Sequence, residues 1–257
     1  VSRFGLGHLA DHANDVEADL RLKHVGHLLA APARAPLAVN YADHLDAVQD
    51  QGPTSSCVGN ALSSSIYLRA KLAGTPIPRP SRKAIYDFAR LVDDPHKGLL
   101  DLGSRPRAAM VGLQDYGIVP ESRWPLDFAR INELPPNDVF QHAVDAMVTD
   151  YYRVGAGAGA ATLVRQALAR GFCPTFAMEV DQAYEDYDGS FTWDGLKGPS
   201  LGGHYQCVIG YGEDYLVVLN SWSSAWGDHG FARIGDRAFD AAATDILVPT
   251  VVPSRLT

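Results

Sequence analysis

Between residues 57 and 72 the apolar positions Val58, Ala61, Leu62, Ile66 and Ala70 recur at three- and four-residue steps, which predicts a helix with one buried stripe. Ser55 and Ser56 stand where an N-cap belongs, and Gly74 and Pro76 end the pattern. The same rhythm returns twice. Ser81 heads a helix that turns Ile85, Phe88, Ala89 and Val92 inward, and Ser104 heads another that carries Ala109, Met110, Leu113 and Tyr116, with Gly117 as its stop. After an irregular, proline-rich stretch over 121–136, Asn137 starts a short helix with Phe140, Ala143, Val144 and Met147 on one face. A helix over 161–170 follows. Beyond Cys173 the texture changes to strands, at 174–180, 205–211, 215–220 and 230–234, with Gly212, Glu213 and Asp214 as a hairpin turn. Helices first and strands afterwards predict an α+β protein in two lobes, a helical one over about 50–135 and a β-rich one over about 136–250. Pro36 to Val48 reads as extended.

Composition narrows the partners. The 257 residues are 46% hydrophobic and 20% charged, which indicates an ordinary globular chain, and the formal charge of -8 argues against a nucleic-acid partner. Arg79, Arg82, Lys83 and Arg90, the densest basic group, read as a solvated helix face. No apolar run approaches the roughly 20 residues of a membrane span, and residues 1–30 hold Asp, Glu and His where a signal peptide would be apolar, so no membrane partner is expected. Three widely spaced cysteines form no disulfide framework, which fits a reducing compartment, although export of a chain with free thiols would leave the same pattern. Residues 1–35 are polar and His-rich. His8 with His12, and His24 with His27, have helical spacing but no third ligand, so the segment reads as a solvated arm or surface helix and no metal is expected. Gly155 to Gly159 lacks the last glycine and the acidic partner of a dinucleotide loop, and reads as a turn.

The candidate chemistry starts at Cys57. A cysteine in the first turn of a helix meets unpaired N–H groups and the positive end of the dipole, both of which favour thiolate. A nucleophile of this kind needs a base, a group to orient the base, and donors for the oxyanion. His204, after Gly202 and Gly203, enters one strand of the hairpin, and Asn220 ends the other, so Asn220 is placed to hold one ring nitrogen and leave the second for Cys57. Trp222 is placed to shield that bond from water. Cys173 and Cys207 read as core residues.

Gln51-Gly52-x-x-x-Ser56-Cys57, Gly203-His204, Gly210-Tyr211-Gly212 and the run Asn220-Ser221-Trp222 to Gly230-Phe231 resemble the papain family of cysteine peptidases. Cys57 and His204 lie 147 positions apart, within the family's spacing. Pro80-Ser81, the run from Tyr116 to Glu121, and Trp124-Pro125 resemble its bacterial branch, which lacks the eukaryotic disulfides. The resemblance implies a papain-like two-lobe fold over 36–257, with a barrel-like C-terminal lobe, the site in the cleft, and the start of that domain crossing between lobes. It implies a cysteine endopeptidase acting on polypeptides without a cofactor: Cys57 as nucleophile, His204 as base and acid, Asn220 as orienter, and Gln51 with the Cys57 N–H as oxyanion donors. Cys57 and His204 would rest as thiolate and imidazolium. Gly103, Gly203 and Met178 would meet the substrate, and a monomer is expected. Tyr205 after the histidine and Ser223 after the tryptophan depart from the family pattern and leave an inactive, partner-binding scaffold open. Another acyl-transfer enzyme, a deamidase, transpeptidase or cell-wall amidase, would use the same triad. Residues 1–35 are too short for the family's helical prodomain, and are expected to pack on the body, near the cleft.

Overall fold

The computed structural model describes residues 2–19, 35–96, 98–141, 143 and 146–253. The arm contributes a one-and-a-half-turn helix, α1 (Ala13–Ala18), and a short strand β1 (Val39–Asn40) opens the body. Three helices follow, α2 (Cys57–Leu72), α3 (Arg82–Asp93) and α4 (Pro106–Tyr116), then a short α5 (Asn137–Gln141). The sheet half holds β2 (Ala146–Val154), α6 (Ala160–Leu168), β3 (Thr175–Val180), α7 (Gln182–Glu185), β4 (Gly202–Tyr211), β5 (Tyr215–Leu219), β6 (Phe231–Gly235), α8 (Asp236–Ala242) and β7 (Thr244–Pro253).

The strands run in the order β2, β7, β3, β4, β5, β6, all antiparallel, with β1 added beside β4. The sheet is open at β2 and β6, so the barrel-like lobe is not a closed barrel. Strands β2 and β7 were not expected. Met147, assigned to one face of a helix, lies in β2, while Val144 falls outside the described residues. The apolar residues around 143–148 suit either period, and the partner that selects strand, β7, lies about a hundred residues away.

Helix α2 is buried all round rather than along one stripe. Ser63, Ser64 and Ser65 are as inaccessible as Leu62 and Ile66, because α2 is wedged between α3 and strand β4. The serines satisfy their hydroxyls on backbone carbonyls, Ser63 on Pro80 at 2.6 Å and Ser65 on Cys173 at 2.5 Å. Ser81 caps α3 as expected, accepting from the Ala84 N–H at 2.9 Å, and Gly117 ends α4 at φ 88°. Ser104 is not a cap: Arg105 precedes α4 and Pro106 opens it. The expected solvated basic face is also corrected. Lys83 and Arg90 are buried around Asp87, which accepts from Lys83 Nζ at 2.9 Å, Arg90 Nη2 at 2.6 Å and Trp124 Nε1 at 2.7 Å. The turn over Gly155–Gly159 is held by Asp240 of α8, which accepts from the N–H groups of Gly159 and Ala161. No described helix is long and apolar enough to cross a membrane.

Candidate active site

Helix α2 delivers Cys57 as its first residue, with Ser56 before it. Ser56 does not cap the helix with its hydroxyl; that oxygen shares a hydrogen with Thr54 at 2.7 Å and accepts from Asn60 Nδ2 at 3.0 Å. Across the cleft, β4 and β5 bring His204 Nε2 to 2.7 Å from Asn220 Oδ1. The Asn220 oxygen is oriented by the Ser221 N–H, which donates to it at 2.7 Å, so His204 Nε2 is the protonated nitrogen. Its Nδ1 has no hydrogen-bond partner among the described residues and is the acceptor left for a thiol proton. Trp222 stacks on the imidazole, with centroids 4.5 Å apart.

Gln51 is fully buried and held on three sides. Its N–H donates to the Ser221 carbonyl at 2.9 Å, its side-chain oxygen accepts from Ser221 Oγ at 2.6 Å, and its Nε2 donates to Thr54 O and Gly5 O, both at 2.8 Å. Ser221 thus fixes which end of the Gln51 amide meets the cleft.

The cleft is occupied by the chain's own arm. Phe4 stacks on the outer face of Trp222 at 4.3 Å, with the planes 6° apart. Gly7 O accepts from the Ser104 N–H at 2.9 Å, His8 N–H donates to Gly203 O at 3.2 Å, and Leu9 N–H donates to Ser104 O at 3.1 Å. A Cβ on Gly5 would lie 1.9 Å from Thr54 O, and one on Gly7 would lie 1.9 Å from Ser55 O, so the two glycines alone let the arm reach the loop before Cys57. Gly103 and Gly203 approach the arm from the other side, where a Cβ would lie 2.3 Å from Gly7 O and 2.8 Å from His8 Nδ1. Past the cleft, Asp11 and Asp19 meet Arg153, and Asp19 also accepts from Arg107 Nε at 3.0 Å. His8 is therefore buried rather than solvated, and His24 and His27 lie outside the described residues.

Closure buries both ionisable partners. Burial pushes the Cys57 thiol up to about 11, opposed by the backbones of Tyr205 and Gly7. Burial likewise pushes His204 down to about 4, opposed by its bond to Asn220. With the arm in place burial therefore disfavours thiolate and imidazolium alike, and the bond to Asn220 and the backbone of Tyr205 oppose it.

A family model described as papain family cysteine protease matches residues 103–246. The chain belongs to that family. Digestive cysteine proteinase 1 of Homarus americanus is 25% identical over 217 residues, which cover 79% of this chain and 63% of that protein. Serine-repeat antigen protein 5 of Plasmodium falciparum is 20% identical over 219 residues, 73% of this chain and 22% of the antigen. The chain thus spans less than two thirds of the length of either relative. Among solved structures, xylellain, a cysteine protease from Xylella fastidiosa, superposes with a TM-score of 0.77 at 24% identity over 98% of this chain and 97% of its own. A procathepsin B from Trypanosoma congolense gives 0.77 at 17%, over 97% and 87%. Both share the papain-like fold, and all three cysteines here are free, as in a branch without the disulfides.

Within this papain-like frame, Tyr205 does not crowd His204. Its ring points to the opposite face of β4, among the residues packed around Cys57, and its hydroxyl donates to Asp245 O at 3.0 Å. Met178 pairs with His204 in the strand register but packs in the sheet core with Phe176 and Val180. Ala177, on the other face, is the β3 residue grouped with Cys57 and Tyr205. Ser223 adopts φ 64° at the exposed edge, where its hydroxyl accepts from the Ala225 N–H. Sequence reasoning passed over Gly5, Gly7 and Ser221. The alternation Phe4-Gly5-Leu6-Gly7-His8 was the available signal, since paired glycines in a polar arm mark a backbone that must approach another closely.

Proposed function

We propose that the chain is a cysteine endopeptidase with Cys57 as its nucleophile, and that residues 2–19 of the 1–35 arm hold its 36–257 catalytic domain shut. A peptide backbone already lies across Cys57 with one carbonyl on Gln51 Nε2 at 2.8 Å, and this observation carries the reading. Once the arm leaves, His204 Nδ1 takes the thiol proton and Sγ attacks the substrate carbonyl carbon. Negative charge moves to the carbonyl oxygen, which accepts from Gln51 Nε2 and the Cys57 N–H. His204 then gives its proton to the departing amine as the C–N bond breaks, and later takes one from the water that hydrolyses the thioester. Asn220 keeps the ring in position throughout, and Trp222 keeps water from that bond.

Gly103 and Gly203 would flank the substrate backbone, as they flank the arm. Ala177 and Tyr205 are grouped with Cys57, which suits the wall role, while Met178 shares the sheet face of His204 and packs with Phe176 and Val180. The test is hydrolysis of a labelled casein and a peptide library by the full chain, by Gly7→Ala, and by Gly7→Ala with Cys57→Ala. Cleavage by Gly7→Ala that vanishes with Cys57→Ala is expected. Ammonia release from glutamine peptides without chain cleavage would favour a deamidase on the same triad, and no reaction at all would favour a scaffold.

A further inference from the structure

We propose that Arg82, anchored by Glu121, is a positioning residue for the oxyanion site, holding the loop over 50–57 that carries both of its donors. The inference rests on the peptidase reading and adds a part to its machinery. Gln51 and the Cys57 N–H stand near the two ends of that loop, and they serve one oxygen only while the loop keeps its shape. Ser221 orients the Gln51 amide from the sheet half, and Arg82 braces the loop from the helical half. As the first residue of α3, Arg82 reaches both ends. Its Nη1 donates to Asp50 O at 3.0 Å, next to Gln51, and to Asn60 Oδ1 at 3.3 Å. With its oxygen turned to Arg82, the Asn60 amide presents Nδ2 to Ser56, donating to the carbonyl and to Oγ, both at 3.0 Å.

The bonds beyond Asn60 run one way. Thr54 Oγ1 gives its hydrogen to Gln51 O at 2.7 Å, so in the 2.7 Å contact between Thr54 and Ser56 it is Ser56 Oγ that donates. From Arg82 through Asn60, Ser56 and Thr54, every donor therefore points towards Gln51, and the last bond ends on the Gln51 carbonyl. Bonds aligned head to tail from a cation polarise one another, the more so out of water, and Asn60, Ser56, Thr54 and Gln51 are all buried. Arg82 is itself fixed before it acts. Glu121 accepts from its Nε at 3.0 Å, its Nη2 at 2.7 Å and its backbone N–H at 2.8 Å, a carboxylate set at the start of α3 where the helix dipole favours it. Gly59 lets α2 come close enough for the contact, since a Cβ there would lie 2.3 Å from Arg82 O. A lysine lacks the fork that would grip Glu121 and reach the loop together.

The experiment uses the full chain carrying Gly7→Ala. Arg82→Ala there should lower kcat about tenfold with KM little changed, because a loosened oxyanion site is felt in the transition state. Arg82→Lys should recover only part of that loss. Asn60→Ala leaves the pair of Arg82 with Glu121 intact and cuts the chain of bonds beyond it, so it should lower kcat in the same way without an unpaired Glu121 to weaken the fold. In a chain that also carries Gln51→Ala, Arg82→Ala should cost about threefold or less, since most of its effect passes through that donor. A second readout needs no turnover: protection of Cys57 from iodoacetamide by a peptide aldehyde and by the corresponding alcohol. The thiol adds to the aldehyde, forming a C–S bond and opening C=O to a hydroxyl that takes the thiol proton and sits in the oxyanion site, whereas the alcohol only binds. Arg82→Ala should shrink the aldehyde's advantage about tenfold and leave the unprotected alkylation rate within about twofold. An unchanged kcat and aldehyde advantage beside a lower melting temperature, or a loss fully additive with Gln51→Ala, overturns the proposal. A chain that cuts no peptide but loses its aldehyde advantage in Arg82→Ala refutes the peptidase reading alone, and an aldehyde no tighter than its alcohol in the Gly7→Ala chain overturns both.

Discussion

The side-chain amide of Gln51 donates to the main-chain carbonyl of Gly5 at 2.8 Å, so the donor suited to a developing oxyanion is already engaged by the chain's own backbone. The engagement depends on glycine at 5 and 7. Gly7→Ala introduces a methyl into space held by Ser55 O, which the rigid loop cannot yield. The expected outcome is a gain of peptidase activity of on the order of tenfold or more over the unaltered chain, measured as initial rate on a fluorogenic peptide. The folded body should melt at nearly the same temperature, since the substitution lies in the arm.

Acid should loosen the arm. His204 is pushed to about 4 in the closed cleft, against an ordinary value of 6.5, so the open form binds a proton more tightly. Through His204 taken alone, closure weakens as pH falls from about 6.5 to 4, by about 3 kcal/mol over the window, while Cys57, whose thiol burial pushes up to about 11, binds its proton more tightly when closed and so weakens closure on the alkaline side. Asp245, held low, works in the same direction, whereas Asp11, raised by burial, opposes it by binding its proton more tightly when docked. NMR signals of the Gly5 and Gly7 amides should shift towards free-peptide positions between pH 6.5 and 4. Signals that stay fixed over that range would contradict the sign.

Gln51 and Ser221 should differ in kind. In the Gly7→Ala chain, Gln51→Ala removes an oxyanion donor and should lower kcat about 100-fold or more with KM little changed. Ser221→Ala frees the Gln51 amide to turn and should lower kcat about tenfold, while Ser221→Thr keeps the hydroxyl and restores most of it. A purely structural serine would lower the melting temperature without this split between kcat and KM.

Asp87 tests the helical half. Asp87→Ala leaves Lys83 and Arg90 buried beside one another without a counter-charge, a change that costs about 3 to 5 kcal/mol. Calorimetry should show melting on the order of 10 °C lower.

The helices and the hairpin were legible because their signals are local. Ser81 and Gly117 cap what their neighbours begin, and the Gly212 turn brings His204 against Asn220. Ordered motifs around Cys57, His204 and Asn220 identified the family for the same reason. What escaped depends on distant partners. Strand β2 exists because β7 covers it, and Lys83 and Arg90 are buried because Asp87 and the carbonyls of 131 and 133 receive them. The burial of Cys57 is likewise a distant effect, since a helix start favours thiolate and the covering arm opposes it.

The central claim is that Cys57 is an activated nucleophile covered by residues 2–19, and alkylation tests it most directly. With iodoacetamide near pH 5.5, the Gly7→Ala chain should be labelled at Cys57 well ahead of Cys173 and Cys207, with activity lost in step, while the unaltered chain is labelled slowly at all three. Equal labelling of the three cysteines in Gly7→Ala, or activity that survives modification of Cys57, would contradict the account.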